Sequence, residues 1–267
     1  MDYKLTYYKQ LWNLSDDGES FTTHSSLLQP VLYRGTNCIL KIALGPEERR
    51  GNGLMAWYKG NGAAPVLQHD DTALLMERAT AELSLAKMAQ TGRDDEASRI
   101  ICQVVAKLQA YKSSYPDDLV PLTIWFESLG SAAAVHGGIF VQCSQVANGL
   151  LNNPMEQVVL HGDIHHGNIL DFGPKGWLAI DPKGLLGERG FDYANLFCNP
   201  DIAIATAPGR LMKQVEIISK EARIERKRLL QWIAAWAGLS AAWAMEDKVS
   251  AEPALTVAKI ALRELSL

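Results

Sequence analysis

The chain has 267 residues with 26 basic and 30 acidic side chains, so its formal net charge is -4 at neutral pH. This length allows one sizeable core or two lobes that share a cleft, and the acidic balance argues against a nucleic-acid-binding surface. The four cysteines form no C-x-x-C pair, no apolar signal segment follows the N-terminus, and the longest apolar run, Ile233 to Met245, is too short to span a bilayer. We therefore expect a cytoplasmic protein that binds neither nucleic acid nor membrane.

Residues 1 to about 77 mix short strand-like runs with one helix, which predicts a small β-rich lobe. Cys38 to Leu44 is an apolar, β-compatible run that is interrupted by one lysine, Lys41. Glu47 and Glu48 follow it and begin a helical stretch, where acidic residues favour the first turn.

The remainder of the chain, residues 78–267, is predicted to be mostly helical. Ala73 to Ala79 is an apolar strand that runs into helix-forming residues, and we interpret it as the connection between two lobes. Asp94 to Lys112 has one apolar face, which we expect to be buried against the catalytic hairpin described below. Arg228 to Met245 carries tryptophans at helical spacing, and this pattern favours a buried packing helix over an aromatic platform for substrate.

The segment His161 to Asn168, HGDIHHGN, carries the strongest functional signal. His161, Asp163 and Asn168 fit the kinase pattern H-x-D-x-x-x-x-N, and Asp181 supplies the second acid that follows a later strand. In that chemistry the charge of ATP is neutralised by metal ions, which hard oxygen ligands such as Asn168 and Asp181 can hold. Asp163 is left to meet the hydroxyl of an acceptor.

The local pattern predicts how these side chains meet. Val158 to Leu160, Asn168 to Leu170 and Trp177 to Ile180 are short strands separated by a Gly- and His-rich loop and by the turn DFGPKG. A loop followed by a hairpin brings the two acids and the asparagine to one end of the hairpin.

Two other interpretations of this segment stay open on local sequence. His161, His165 and His166 around an aspartate are compatible with a zinc or iron site, although the H-E-x-x-H helix pattern is lacking and Gly162 and Gly167 would interrupt a helix. A structural loop, in which the polar side chains cap turns, is equally compatible.

A kinase also needs an upstream lysine and an acid that pairs with it. Lys41 has the expected placement, although a solvent-facing strand lysine is the ordinary alternative. We choose Glu48 as its partner, with Glu47 second. Because all four of Lys41, Asp163, Asn168 and Asp181 are present, a catalytically inactive nucleotide-binding protein is disfavoured.

Five segments carry a resemblance to a known family: THSS, ALLMERA, HGDIHHGNILDFG, WLAIDPKGLLGERGFDYAN and LLQWIAAWAGLSAAW. The chain resembles the aminoglycoside and hydroxyurea phosphotransferases, and within them the streptomycin 6-phosphotransferases most. The resemblance implies an α+β, two-lobed protein-kinase-like fold, with a nucleotide-binding lobe over 1–77 and a catalytic and substrate-binding lobe over 78–267. It also implies transfer of the γ-phosphoryl group of ATP, with Mg²⁺, to a hydroxyl of an aminoglycoside, here the 6-hydroxyl of streptomycin.

The resemblance assigns roles to individual residues. It implies that Asp163 is the catalytic base, that Asn168 and Asp181 bind Mg²⁺, and that Lys41, oriented by Glu48, contacts the α- and β-phosphates.

The remaining nucleotide contacts are also implied by the resemblance. The backbone of Glu77 and Ala79 would bind adenine. The phosphate-covering loop would lie near Thr23 to Ser26, with Ser25 and Ser26 as contacts. The first forty residues contain no G-x-G-x-x-G, so hydroxyls and backbone amides would have to replace it.

A cationic aminoglycoside requires carboxylates in the cleft to offset its lost hydration. Glu188 and Asp192 are the first candidates, followed by Asp201, Glu246 and Asp247. Asp192 is equally compatible with holding the catalytic loop. Alternatives for the whole chain are a kinase of hydroxyurea, which needs no acidic wall, or of a metabolite such as choline, and a metal-dependent hydrolase built on the histidines.

Overall fold

The computed structural model describes residues 2–80, 82–111 and 113–266, and the first part of the chain forms an antiparallel sheet of six strands. The order across the sheet is β1-β3-β4-β6-β5, and β2 pairs with β3. The strands are β1 (Ser15–Asp16), β2 (Phe21–Thr22), β3 (Ser26–Tyr33), β4 (Thr36–Ala43), β5 (Val66–His69) and β6 (Ala73–Glu77).

Alternation along β4 explains why Lys41 leaves the core of this sheet. Successive side chains of a strand point to opposite faces, so Leu40 and Ile42 are buried on one face while Lys41 lies on the other. Lys41 is opposite Leu28 of β3 and Leu74 of β6. The sequence run that carries a single lysine is thus a strand with one polar position on its cleft face.

Two helices accompany the sheet, α1 (Asp2–Leu11) and α2 (Pro46–Tyr58), whereas the sequence predicted one. Leu5 and Tyr8 of α1 are buried in the outer apolar cluster of the sheet. The helix was missed because its sequence is rich in tyrosine and lysine and its apolar face is narrow.

The second part of the chain is mostly helical, with short strands around the catalytic loop. Its helices are α3 (Leu85–Met88), α4 (Asp94–Ala110), α5 (Leu122–Trp125), α6 (Glu127–His136), α7 (Gly138–Asn152), α8 (Ile202–Ala205), α9 (Arg210–Ala222), α10 (Arg226–Glu246) and α11 (Glu252–Leu265). Its strands are β7 (Val120–Pro121), β8 (Gln157–Leu160), β9 (Ile169–Asp171), β10 (Trp177–Ala179) and β11 (Leu185–Glu188). This confirms the predicted α+β architecture of a sheet lobe followed by a helical lobe.

The predicted hairpin is the antiparallel pair β9 and β10, in which Leu170 lies opposite Leu178. Helix α4 packs against β8 and β10 through its buried face, as predicted, and ends at Ala110. Lys112, the predicted end of that helix, lies outside the described residues. No helix in the described part of the chain is both long and apolar enough to cross a membrane.

The two lobes share one apolar core. Leu54 and Met55 of α2 belong to the same cluster of buried side chains as Ile169 and Leu178 of the hairpin. Backbone bonds join the lobes as well, because Ala64 N–H donates to the Ala179 carbonyl over 2.9 Å. Strand β6 ends at Glu77, and the lobe boundary after this residue stays a prediction from the sequence.

Candidate active site

The side chain of Asp192 holds the loop between β8 and β9 in place. The backbone N–H groups of His161 and Gly162 donate to its two carboxylate oxygens over 3.2 and 2.8 Å. Asp192 is 1% exposed, and this burial raises its pKa to about 6 although the two N–H bonds act in the opposite direction. Asp192 therefore supports the loop that carries Asp163.

Asp163 is positioned by two side-chain amides. Asn168 Nδ2 donates to Asp163 Oδ2 over 3.1 Å, and Asn195 Nδ2 donates to Asp163 Oδ1 over 2.9 Å. Burial raises the pKa of this carboxyl, while the charges of His165 and Lys183 lower it. A fixed, partly desolvated carboxylate of this kind suits the acceptance of a hydrogen bond or proton from a hydroxyl.

Lys41 lies at the centre of an ion-pair cluster. Its Nζ is 2.6 Å from Glu48 Oε2 and also pairs with Asp181. Burial acts to raise the pKa of Glu48, but the charges of Lys41 and Lys183 and the hydrogen bonds from Lys41 and Ser26 lower it to about 2. The pairing partner that the sequence favoured, Glu48 rather than Glu47, is the one found in the structure.

Asn168 and Asp181 are brought together by the hairpin. Ile180 N–H donates to the Asn168 carbonyl over 2.9 Å, so the residue that precedes β9 lies beside the residues that follow β10. Asn168 uses its Nδ2 for Asp163, which leaves its Oδ1 for a cation, and Asp181 is one-third exposed. An amide oxygen beside a carboxylate fits the hard ligand set of Mg²⁺.

The three histidines of the loop do not converge. The His161 ring contacts the Ile180 carbonyl over 2.9 Å, while His166 is buried 3.9 Å from Asp94. Within residues 2–80, 82–111 and 113–266, no three His, Cys, Asp or Glu side chains are grouped so that they could hold a metal ion. The geometry gives no support to the zinc or iron site.

A cavity of about 190 Å³, which we call the nucleotide cavity after its predicted ligand, lies between the sheet and the hairpin. Polar and apolar side chains from both lobes line it: Thr23, Ser25, Ser26, Leu28, Lys41, Met55, Leu74, Met76, Asn168, Ile180 and Asp181. The turn from β2 to β3 thus reaches this cavity with Ser25 and Ser26, although the Ser26 hydroxyl donates to Glu48 Oε2 over 2.9 Å.

Strand β6 lines the same cavity with Leu74 and Met76, whereas the predicted adenine contacts Glu77 and Ala79 lie beyond its lining. Glu77 N–H donates to the Pro65 carbonyl over 3.0 Å, so this amide is used within the sheet lobe. Within the described part of the chain, Ala79 N–H has no hydrogen-bond partner.

A larger cleft of about 490 Å³, which we call the acceptor cleft after the predicted role of Asp163, opens beside Asp163. Its walls come from the catalytic loop, α2, α5, α6 and the end of α10: Glu47, Ile124, Trp125, Glu127, Ser128, Gly162, Asp163, Lys183, Trp236, Trp243 and Asp247. Trp236 and Trp243 line this cleft, although Trp236 is itself buried, as is Trp232. The helix is thus buried in the core as predicted, and its C-terminal end in addition borders the cleft.

Glu188, predicted to contact substrate, lies away from the cleft. It is 4% exposed, Arg228 Nε donates to its Oε1 over 2.9 Å, and Trp232 Nε1 donates to the same oxygen over 2.8 Å. Arg228 and these bonds also lower its pKa, against the effect of burial. A carboxylate whose oxygens are already bonded inside the protein has no free acceptor for a substrate cation.

The other acids that were predicted to contact substrate lie in different places, and only one of them lines the cleft. Asp192 supports the catalytic loop, which was its alternative role, and does not line the cleft. Asp201 caps α8 by accepting from Ile204 N–H over 3.0 Å. Glu246 accepts from Ser128 Oγ, and Asp247 lines the cleft.

The sequence analysis missed five cleft residues: Ile124, Trp125, Glu127, Ser128 and Lys183. Trp125 packs edge-on against Trp243 with ring centroids 5.5 Å apart. No local pattern marks Trp125 or Glu127, because their position depends on how α5 and α6 pack on α10. Lys183 had a signal, since it lies two residues after Asp181.

A Lys–Glu ion pair in a sheet lobe, facing an Asp and an Asn on the loop and hairpin of a helical lobe, defines a phosphotransferase with the protein-kinase-like fold. Solved structures show the same fold. A choline/ethanolamine kinase family protein from Mesorhizobium loti aligns with a TM-score of 0.68 at 14% identity, over 100% of this chain and 94% of that one. A thermostable mutant of aminoglycoside phosphotransferase APH(4)-Ia, in a ternary complex with ADP and hygromycin B, aligns with a TM-score of 0.64 at 11% identity, over 96% of this chain and 97% of that one.

The family follows from sequence. A family model described as aminoglycoside/hydroxyurea antibiotic resistance kinase matches residues 11–248, and the chain belongs to this family. It is 49% identical to a streptomycin 3''-kinase of Klebsiella pneumoniae over 241 residues, 88% of this chain and 90% of that protein. It is 29% identical to a streptomycin 6-kinase of Streptomyces glaucescens, over 94% and 86% of the two chains. The predicted family is thus confirmed, and the protein is an ATP-dependent phosphotransferase.

Proposed function

We propose that the protein inactivates streptomycin by transferring the γ-phosphoryl group of ATP to its 3''-hydroxyl, with Mg²⁺. The observation that carries the choice of acceptor is the 49% identity to a streptomycin 3''-kinase, against 29% to a streptomycin 6-kinase. The 6-hydroxyl that the sequence resemblance favoured becomes the competing outcome. The cytoplasmic location stays a prediction from the sequence.

Asp163 is the proposed catalytic base. It lines the acceptor cleft, and its carboxylate is fixed by Asn168 and Asn195, so it can hold an acceptor hydroxyl in line with the phosphorus and take its proton. Positioning of this kind supplies much of the rate in phosphoryl transfer, since the transition state is loose.

The nucleotide cavity supplies the remaining roles. Asn168 and Asp181 are the proposed ligands of Mg²⁺, which when bound neutralises charge on the phosphates. Lys41, held by Glu48, is the proposed contact for the α- and β-phosphates. Ser25 and Ser26 would approach the phosphates from the turn above.

The backbone of Glu77 and Ala79 is the proposed adenine contact. The free Ala79 N–H supports this assignment, because adenine offers ring nitrogens that accept a hydrogen bond. The Glu77 N–H is already bonded, which leaves its carbonyl as the contact on that residue.

The wall of the cleft opposite the catalytic loop suits a guanidinium-bearing acceptor. Glu127 and Asp247 are exposed carboxylates there, and the indole rings of Trp125 and Trp243 lie beside them. A planar guanidinium stacks on aromatic faces and pairs with carboxylates, and streptomycin carries two such groups. These four residues replace Glu188 and Asp192 as the proposed substrate contacts.

The test is ADP release by the purified protein with Mg-ATP and streptomycin, hydroxyurea, kanamycin or choline, followed by mass spectrometry and NMR of the product. We expect one phosphoryl group on the 3''-oxygen of streptomycin. Phosphate on the 6-oxygen would keep the reaction and overturn the position. Turnover only of hydroxyurea or choline would overturn the acceptor, and ATP binding without turnover of any compound would leave the acceptor unidentified.

A further inference from the structure

Lys183 lies on the border between the nucleotide cavity and the acceptor cleft. It follows Asp181 by two residues, and it lines the cleft together with Gly162 and Asp163. Its side chain is 17% exposed. Of the described residues that line the cleft, Lys183 is the one cation among four carboxylates.

The backbone of Lys183 is held on both sides. Its N–H donates to the His161 carbonyl over 2.6 Å, and its carbonyl accepts from Arg50 Nε over 2.7 Å. Helix α2 approaches the segment closely, because a Cβ on Gly51 would lie 2.2 Å from the Pro182 carbonyl oxygen. The position of this lysine is therefore built into the contact between the lobes.

The ammonium group of Lys183 shares a carboxylate with Lys41. Glu48 turns Oε2 to Lys41 over 2.6 Å and Oε1 to Lys183 over 3.4 Å, and Glu47 Oε1 is 3.2 Å from Lys183. The two glutamates of α2 thus hold the ammonium group of Lys183 beside that of Lys41.

For binding of the cationic acceptor alone, a positive charge at the position of Lys183 is unfavourable. The exposed carboxylates of the cleft attract a cationic aminoglycoside, whereas an ammonium beside Asp163 repels it. A phosphoryl group that passes from the cavity to the cleft carries negative charge on its equatorial oxygens, and the first forty residues contain no G-x-G-x-x-G to cover them.

We propose that Lys183 is a catalytic residue that leaves its glutamates and binds the equatorial oxygens of the phosphoryl group during transfer. The inference rests on the proposed reaction at Asp163. In that step the acceptor oxygen bonds to the γ-phosphorus, its proton goes to Asp163, and the bond to the bridging oxygen breaks to release ADP. Lys41 binds the α- and β-phosphates, which stay with ADP, and Lys183 binds the γ-phosphoryl group, which is transferred.

The experiment compares wild-type enzyme with Lys183→Met, Lys183→Arg and a control, Lys213→Met, which removes an exposed ion-paired lysine of α9. For Lys183→Met we expect kcat to fall about 10²- to 10³-fold, as on removal of one transition-state donor, with little change in the KM for ATP. Lys183→Arg keeps the charge and should retain more activity. A kcat within about threefold of wild type in the folded Met variant would overturn the proposal.

Two further measurements separate catalysis from mere neutralisation of the glutamates. If neutralisation were the role, Glu47→Gln in the Lys183→Met background would restore turnover, whereas we expect no recovery. We also expect Lys183→Met to bind a non-hydrolysable ATP analogue as wild type does and to bind ADP with aluminium fluoride, a mimic of the moving phosphoryl group, at least about tenfold more weakly. Equal affinity for the mimic in both proteins would overturn the proposal.

A wrong assignment of the acceptor can be distinguished from a wrong role of Lys183. If wild-type enzyme leaves streptomycin unmodified, the acceptor is wrong. The slow hydrolysis of ATP by water and the binding of ADP with aluminium fluoride still compare Lys183→Met with wild type.

Discussion

The nucleotide cavity and the acceptor cleft meet at the catalytic loop, yet their charged side chains are arranged in opposite ways. In the cavity, Lys41, Glu48 and Asp181 already pair with one another. In the cleft, which is about 490 Å³ against about 190 Å³, Glu127 and Asp247 have no ion-pair partner within the described part of the chain. The charges of the cavity are thus already paired within the protein, whereas the proposed acceptor side leaves carboxylates that a cationic ligand would neutralise.

The largest expected effect is that of a substitution at Asp163, at the border between the nucleotide cavity and the acceptor cleft. Asp163→Asn removes the base but keeps a side chain of the same shape, so kcat should fall by about 10² to 10⁴. The affinity for Mg-ATP, measured by calorimetry, should stay within a few-fold of wild type, because Asp163 lines the cleft and not the cavity. Near-normal turnover would remove Asp163 from the role.

Glu188 should affect stability and not acceptor binding. Glu188→Gln breaks a buried ion pair with Arg228, so the free energy of unfolding in urea should fall by about 3 kcal/mol or more. The KM for streptomycin should be unchanged, since Glu188 lies outside the cleft. A raised KM in a fully folded variant would return Glu188 to the substrate site.

Lowering the pH should decrease the free energy of unfolding through titratable groups that are buried near both sites. Burial lowers the pKa of His161 to about 3 and of His166 to about 4, so between pH 6.5 and 5 only the unfolded chain binds these protons. Each histidine then destabilises the fold by about 2 kcal/mol at pH 5.

Asp192 acts in the opposite direction, because its pKa is raised to about 6 and the folded state gains a proton first as the pH falls. Protonation of Asp192 stabilises the fold by about 1 kcal/mol at pH 5, so the net decrease in the free energy of unfolding is roughly 3 kcal/mol. Urea unfolding at pH 7 and pH 5 measures this difference, and His166→Asn, which cannot titrate, should show a smaller one. Equal stability of wild type at both pH values would contradict the prediction.

Asp181→Asn should act on the nucleotide side alone. Loss of one carboxylate from the proposed Mg²⁺ site should weaken Mg-ATP binding by about tenfold or more, as for a lost charge-assisted contact. Binding of streptomycin without nucleotide should be unchanged. Wild-type affinity for Mg-ATP in this variant would count against Asp181 as a ligand.

The smallest effect is expected on the acceptor wall. Trp243→Leu keeps an apolar side chain but loses the aromatic face, which should raise the Kd of streptomycin about two- to fivefold, the size of one exposed cation–π contact. The KM for ATP should not change. Trp12→Leu, in the outer cluster of the sheet lobe, is the matched control and should leave the Kd of streptomycin at the wild-type value.

The contrast between the two sites also explains what could be predicted from sequence. The motif HGDIHHGN, the β9–β10 hairpin and the lysine run of β4 are local patterns, and the pairing of Lys41 with Glu48 follows once a kinase is assumed. The acceptor wall is formed by side chains from α5, α6 and the end of α10, which meet only through helix packing. Glu188 misled because a carboxylate has the same sequence signature whether a substrate or a buried arginine satisfies it.

Helix α10 reaches three parts of the molecule in turn. Arg228 near its start holds Glu188, its middle lies in the core, and Trp243 and the adjoining Asp247 border the acceptor cleft. On the proposed assignment of the cleft, substitutions at its exposed end, such as at Asp247, would alter which acceptor is bound and leave the nucleotide cavity unchanged. The start of the same helix would meanwhile keep its structural contact with Glu188.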